Sequence, residues 1–88
     1  MFNTEALQSM RERLDEHHEW PCPYHFKFIV KADAVDQVKA LFGKNKVTER
    51  PSRTGKYISV SADVMMENSD TVLAVYEKAS KIEGIISL

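Results

Sequence analysis

The residues best suited to chemistry lie close together: His17, His18, Cys22 and His25 fall within nine positions. Imidazole and thiolate are both zinc ligands, and zinc asks for four such groups in a tetrahedron. The order His-His-x-x-x-Cys-x-x-His matches no zinc-finger spacing, and Pro21 and Pro23 stiffen the chain between His18 and His25. These four residues are weak metal candidates, and a metal-binding or redox-linked protein is the alternative reading. The plainer reading ends a helix at His17 and His18, where an imidazolium suits the negative end of the helix dipole, and makes Cys22 a small apolar filler. A Cys–His nucleophile pair would need a group to orient the imidazole and donors for an oxyanion. The sequence supplies neither, so no catalytic residue, enzyme activity or cofactor is assigned.

A second cluster carries groups that hold anions. Pro51-Ser52-Arg53-Thr54-Gly55-Lys56 is a turn by composition, and its free backbone N–H groups, hydroxyl and cations suit a phosphate or a carboxylate. The glycine and lysine spacing excludes a Walker loop. Lys44, Lys46, Arg50, Arg53 and Lys56 meet only Glu49 in this stretch, a local excess of four positive charges in a chain whose net charge is −1. Ser52, Arg53, Gly55, Lys56, Tyr57 and Ser59, together with Lys27, are the candidate ligand- or partner-binding residues.

Four strands and three helices must position these groups. Leu7, Met10, Leu14 and His17 or His18 follow helical spacing, so residues 3–19 are expected to be a helix capped by Asn3 or Thr4. Pro21 and Pro23 stop it. From Tyr24 to Val30 the chain alternates: Tyr24, Phe26, Phe28 and Val30 share one strand face, and His25, Lys27 and Ile29 the other. Asp33 is expected to cap a second helix running to Phe42, with Val35, Val38, Leu41 and Phe42 inward and Gly43 ending it in the left-handed conformation. Residues 46–50 are a short candidate strand. Residues 57–66 are the clearest one, with Ile58, Val60, Ala62 and Val64 alternating against Tyr57, Ser59, Ser61 and Asp63. One of the adjacent Met65 and Met66 must then point outward, toward an edge or a subunit contact. Ser69 or Asp70 is expected to cap a helix over 70–81 that buries Val72, Val75, Tyr76 and Ala79. Gly84 breaks it, and residues 85–88 close the chain as a strand.

Without its first helix this order is βαββαβ. The expected fold is α+β: a ferredoxin-like sandwich, with a four-stranded antiparallel sheet carrying two helices on one face, plus an extra N-terminal helix. Residues 1–19 form the helical extension and residues 20–88 the ferredoxin-like domain. Right-handed crossovers put both helices of the repeat on one side. The other side must be solvated, covered by the first helix, or paired with another subunit.

Composition bounds the function. At 88 residues the chain is one domain with a thin core, and a deep enclosed pocket is not expected. Near-neutral net charge gives no general pull toward nucleic acid or membrane. Cys22 is the only cysteine, which rules out an internal disulfide and fits a reducing compartment. The acidic start lacks a signal-peptide core and no apolar run is long enough to span a bilayer, so a cytoplasmic location is expected. RNA binding, the second alternative, needs rings on the open faces of the central strands. Only Tyr57 stands there, with Lys27, Ser59 and Ser61 at the centre, so nucleic acid is an unlikely partner.

Three segments resemble the YbeD-like family of small uncharacterised bacterial proteins. Trp20-Pro21-Cys22-Pro23-Tyr24-His25-Phe26-Lys27-Phe28-Ile29 is similar to the family's aromatic-Pro-x-Pro-aromatic entry into a strand. Pro51-Ser52-Arg53-Thr54-Gly55-Lys56-Tyr57-Ile58-Ser59-Val60-Ser61 resembles its Pro-Ser-x-x-Gly-x-Tyr-x-Ser-Val stretch, the most specific of the three. Val75-Tyr76-Glu77, through Ile82 to Leu88, resembles its last helix and terminal strand. The resemblance covers residues 20–88 and implies a ferredoxin-like fold similar to ACT regulatory domains, with no established activity and no catalytic residues to carry over. The family's middle block falls on Pro51, Ser52, Gly55, Tyr57 and Ser59, without an assigned role. This chain departs from the family in having Lys31-Ala32-Asp33 where a glycine follows the first strand. It also has a longer first helix. The expected function is therefore a non-enzymatic binding or regulatory module, working on an unknown protein partner or small ligand through the open sheet face, an edge strand or the 51–57 turn. A free edge strand would also serve a homodimer.

Overall fold

The computed structural model describes residues 4–88. The chain runs α1 (Thr4–His17), β1 (Cys22–Lys31), α2 (Val35–Ala40), β2 (Thr48–Pro51), β3 (Tyr57–Met66), α3 (Ser69–Ala79) and β4 (Ile86–Ser87). The four strands form one sheet in the order β2-β3-β1-β4, antiparallel at every step. This is an α+β protein with a four-stranded antiparallel sheet and three helices, an arrangement compatible with a ferredoxin-like fold.

Alternation in β1 and β3 builds the core. Their ten-residue ladder pairs Phe26 with Ala62, Phe28 with Val60 and Tyr24 with Val64. All of these side chains stand on one face, because successive strand residues point to opposite sides. Phe26, Phe28, Val30 and Val60 are fully buried there, joined by Val38 of α2 and Val72 of α3. Each such side chain contributes about 1.5–3 kcal/mol by leaving water. Phe42 packs its ring against Phe26 and Phe28 at 5.5 and 6.1 Å. It lies beyond the end of α2, where Gly43 at φ 55 turns the chain away.

The local signals differ from expectation at several ends. β1 starts at Cys22, two residues before Tyr24, following a cis Trp20–Pro21 bond. Asp33 caps no helix: the chain leaves β1 directly into a 3-10 turn, Ala32–Ala34, and α2 is only six residues long. β2 covers Thr48–Pro51 rather than 46–50, since its register is set by the pairing of Arg50 with Ser59 and Pro51 with Ile58. The cap of α3 is Asn68, not Ser69 or Asp70: its Oδ1 accepts the Thr71 N–H at 2.9 Å, and the Asn68 N–H donates to Thr71 Oγ1 at 3.4 Å. Ser69 is instead buried, as is Leu73 beside the expected inward residues of α3. The cap expected for the first helix, at Asn3 or the Thr4 side chain, lies outside the described residues, and α1 ends at His17 rather than 19.

The position of α1 answers the question left by the topology. Arg11 Nη2 meets Asp70 Oδ1 of α3 at 2.7 Å, Leu14 and Trp20 pack on the core cluster, and His18 lies over Tyr24, a covered-face residue. α1 thus packs beside α3 on the covered side, and among the described residues the opposite face of the sheet carries no helix.

Candidate functional site

Strand register assembles the uncovered face row by row. Arg50, Ser59, Ile29 and Ile86 stand side by side across the four strands, and Thr48, Ser61 and Lys27 form the next row. Small serines on β3 leave a trough between taller neighbours on β2 and β1. At the β2 end the trough deepens into a depression of about 240 Å³ lined by Lys27, Ile29, Arg50, Pro51, Ser52, Tyr57 and Ser59.

The turn beside it is held by its own hydrogen bonds. Ser52 N–H donates to the Tyr57 carbonyl at 2.8 Å, Gly55 N–H donates to the Ser52 carbonyl at 2.9 Å, and Ser52 Oγ accepts the Tyr57 N–H at 3.1 Å. Gly55 adopts φ 74, a left-handed conformation that a side chain would strain. The Ala32 N–H donates to the Lys56 carbonyl at 3.1 Å and ties the turn to the end of β1. Tyr57 is therefore presented by a braced turn, and the Lys56 ammonium rests 5.7 Å from its ring centroid.

The structure brings Lys27, Ser52, Tyr57 and Ser59 together at this depression and leaves Arg53, Gly55 and Lys56 at the turn outside its lining. It adds Arg50, which the sequence offered only as one cation in a charged stretch. The signal that would have found Arg50 is its register opposite Ser59. Charge is sorted between the faces. Glu49, the one acid of the basic stretch, points to the covered side and pairs with Lys39 at 3.2 Å. Asp63 is on the open face, but His25 Nδ1 donates to its Oδ1 at 2.9 Å. Lys27, Lys31 and Arg50 stand on that face without a carboxylate partner among the described residues. Apolar side chains are sorted too: the exposed large hydrophobics of the described residues, Tyr57, Met65, Ile86 and Leu88, fall on the open side by alternation and register.

The four metal candidates do not converge. Cys22 and His25 are three residues apart on a strand and so face opposite ways. His25 is engaged with Asp63 on the open face. His18 donates Nδ1–H to the Leu14 carbonyl at 3.0 Å and stacks on Trp20, while His17 is exposed in the last turn of α1. Among the described residues no group of three or more His, Cys, Asp or Glu side chains is placed to hold a metal ion. Nor is any described helix long and apolar enough to cross a membrane.

Residues 15–88 match the family described as "Protein of unknown function (DUF493)". Among curated proteins, the chain is 31% identical over 81 residues to a UPF0250 protein of Sodalis glossinidius, covering 84% of this chain and 93% of the relative. It is 32% identical over 74 residues to one of Pasteurella multocida, covering 76% and 84%. It is 32% identical over 81 residues to the UPF0250 protein YbeD of Escherichia coli, covering 84% and 93%. No solved structure matches the chain.

Proposed function

This chain belongs to the DUF493 family, and on that premise we propose that it is a non-enzymatic, regulatory binding module, ferredoxin-like and ACT-like in architecture, that receives an acidic segment of a protein partner on its uncovered sheet face. The observation that carries this reading is the meeting of two unpaired cations, Lys27 and Arg50, with the Ser52, Ser59 and Tyr57 hydroxyls around one open depression. A partner carboxylate there gains charge-assisted hydrogen bonds, which are about twice as strong as neutral ones. Ile29 and Ile86, in the same row as Arg50 and Ser59, with Leu88 beside Lys27, supply apolar contact. A single-stranded nucleic acid is less well served, because among the described residues Tyr57 is the one ring of the face free to stack, the His25 imidazole being engaged with Asp63. A second copy docked face to face would set cation against cation, since a two-fold interface pairs each patch with itself. A homodimer through a sheet edge stays compatible with this use of the face.

The test compares capture from bacterial lysate by the immobilised wild-type chain and by a Lys27→Glu/Arg50→Glu variant, with circular dichroism confirming that both are folded. One protein should be recovered stoichiometrically on wild type, lost on the variant, and lost again as salt is raised, because opposed surface charges are screened. Equal recovery on both chains would remove the face from consideration.

A further inference from the structure

The groove between α1 and the body of the domain lies on the opposite side of the sheet from that depression, and we infer that it is a separate binding site for a small aromatic carboxylate. Its volume, about 370 Å³, is in the range of small-molecule sites. Met10 and Leu14 of α1, with His18 just beyond its end, form one wall, and Tyr24 of β1 and Tyr76 of α3 face them. His18 and Tyr24 are 5.4 Å apart between ring centroids, and Tyr24 meets Tyr76 edge-on at 6.3 Å. Ring faces and a thioether favour a flat aromatic body over a branched aliphatic one.

Two features ask for an oxygen anion. The Tyr24 and Tyr76 hydroxyls are 3.2 Å apart, so one donates to the other, and the accepting phenol's own O–H has no further partner among the described residues. Both tyrosines line the groove, so that O–H is available to donate to a ligand oxygen. Burial and the hydrogen bond with Tyr24 raise the Tyr76 pKa, so Tyr76 stays protonated within a pair that offers one O–H to a ligand. The second feature is the sorting of charge on α1. Arg13 and His17, one turn apart, line the groove, and neither is paired with a carboxylate. None of the acids of the same helix, Glu5, Glu12, Asp15 and Glu16, lines the groove: Asp15 accepts the Trp20 Nε1–H at 2.9 Å and Glu12 accepts Gln8 Nε2–H at 3.2 Å. The groove therefore presents the Arg13 guanidinium, an imidazole and a phenol donor around an aromatic slot.

The test titrates the isotope-labelled full chain with phenylacetate, phenylacetamide and phenethylamine, followed by amide chemical shifts. Phenylacetate should give saturable shifts centred on residues 10–18, 24 and 76, with residues 27, 50 and 59 unmoved. The neutral amide should bind about tenfold more weakly and the amine not measurably, as expected when a charge-assisted contact is removed. Arg13→Gln, an exposed position whose change leaves the fold intact, should weaken phenylacetate by about tenfold, and Tyr76→Phe by several-fold, while Lys27→Ala changes nothing. The inference fails if the three probes bind alike, if Arg13→Gln binds like wild type, if no shift saturates in the millimolar range, or if the shifts centre on the sheet face. Capture of a protein partner by Lys27 and Arg50 does not bear on any of these readouts.

Discussion

The two faces of β1 and β3 are made from the same twenty residues and obey opposite rules. On one face Phe26, Phe28, Val30 and Val60 have no exposed surface. On the other, His25, Lys27, Ser59 and Ser61 alternate with them residue by residue, and none of these four is buried. The covered face answers to packing, where one missing methylene is felt. The open face answers to charge and shape, and substitutions there leave the ladder intact. A domain with one thin core thus spends half of each central strand on stability and keeps the other half free. The free half holds Lys27 and Lys31 with the exposed Tyr57 and Met65, and Arg50, Ile86 and Leu88 extend the same face toward its edges.

Truncation of a ring is the strongest way to break this contrast. Phe28→Ala should cost about 3–5 kcal/mol, because the cavity sits between β1, α3 and the Phe42 ring and has few ways to collapse. Set against the 5–15 kcal/mol typical of small domains, that leaves a chain close to unfolding at 25 °C. Lys27→Ala, next to it in sequence, should stay within about 0.5 kcal/mol. Urea denaturation of the two variants reads the difference directly, and similar midpoints would mean that the faces are not distinct.

A smaller effect marks the rim of the covered face. Burial raises the Tyr76 phenol above its ordinary range, so the unfolded chain ionises first as pH climbs. The stability this group contributes is whole below about pH 10 and is lost above it. Thermal unfolding followed from neutral to strongly alkaline pH should show this loss in wild type and a shallower one in Tyr76→Phe. Identical alkaline limbs would assign the loss to the other tyrosines.

Most of the covered face was legible because strict alternation over ten residues admits one register. β3 runs Tyr57–Met66 as the pattern predicts, and Gly43 and Gly84 take positive φ where the helices were expected to stop. Short or long-range features were not legible. Four residues of β2 are too few to show a period, so Arg50 could not be assigned to a face until β3 paired with it. The His/Cys cluster looked compact only because β1 was started at Tyr24; once Cys22 belongs to the strand, its odd separation from His25 puts the two on opposite sides. Asn68 lay one residue before the expected caps, although its three-residue spacing to Thr71 is a readable capping signal. The side on which α1 packs depends on His18 meeting Tyr24 and Arg11 meeting Asp70, contacts that no local pattern encodes.

The smallest effect tests the open face from within. His25 and Asp63 form a hydrogen-bonded pair there, charged on both sides only when the imidazole is protonated, yet their side chains are 59% and 74% exposed. Water already solvates both groups, so a pair of this kind is worth about 0–1 kcal/mol and fades with salt. A double-mutant cycle with His25→Gln and Asp63→Asn should therefore return a coupling below about 0.5 kcal/mol at physiological ionic strength and none in concentrated salt. The pair has another consequence, because it occupies the open-face carboxylate nearest Lys27. Asp63→Asn should consequently leave stability unchanged while speeding association with an acidic partner, since on-rate follows the net field of the surface. A coupling well above 1 kcal/mol, persisting in salt, would mean that the open face also holds the fold together, and the division between the two faces of the sheet would not stand.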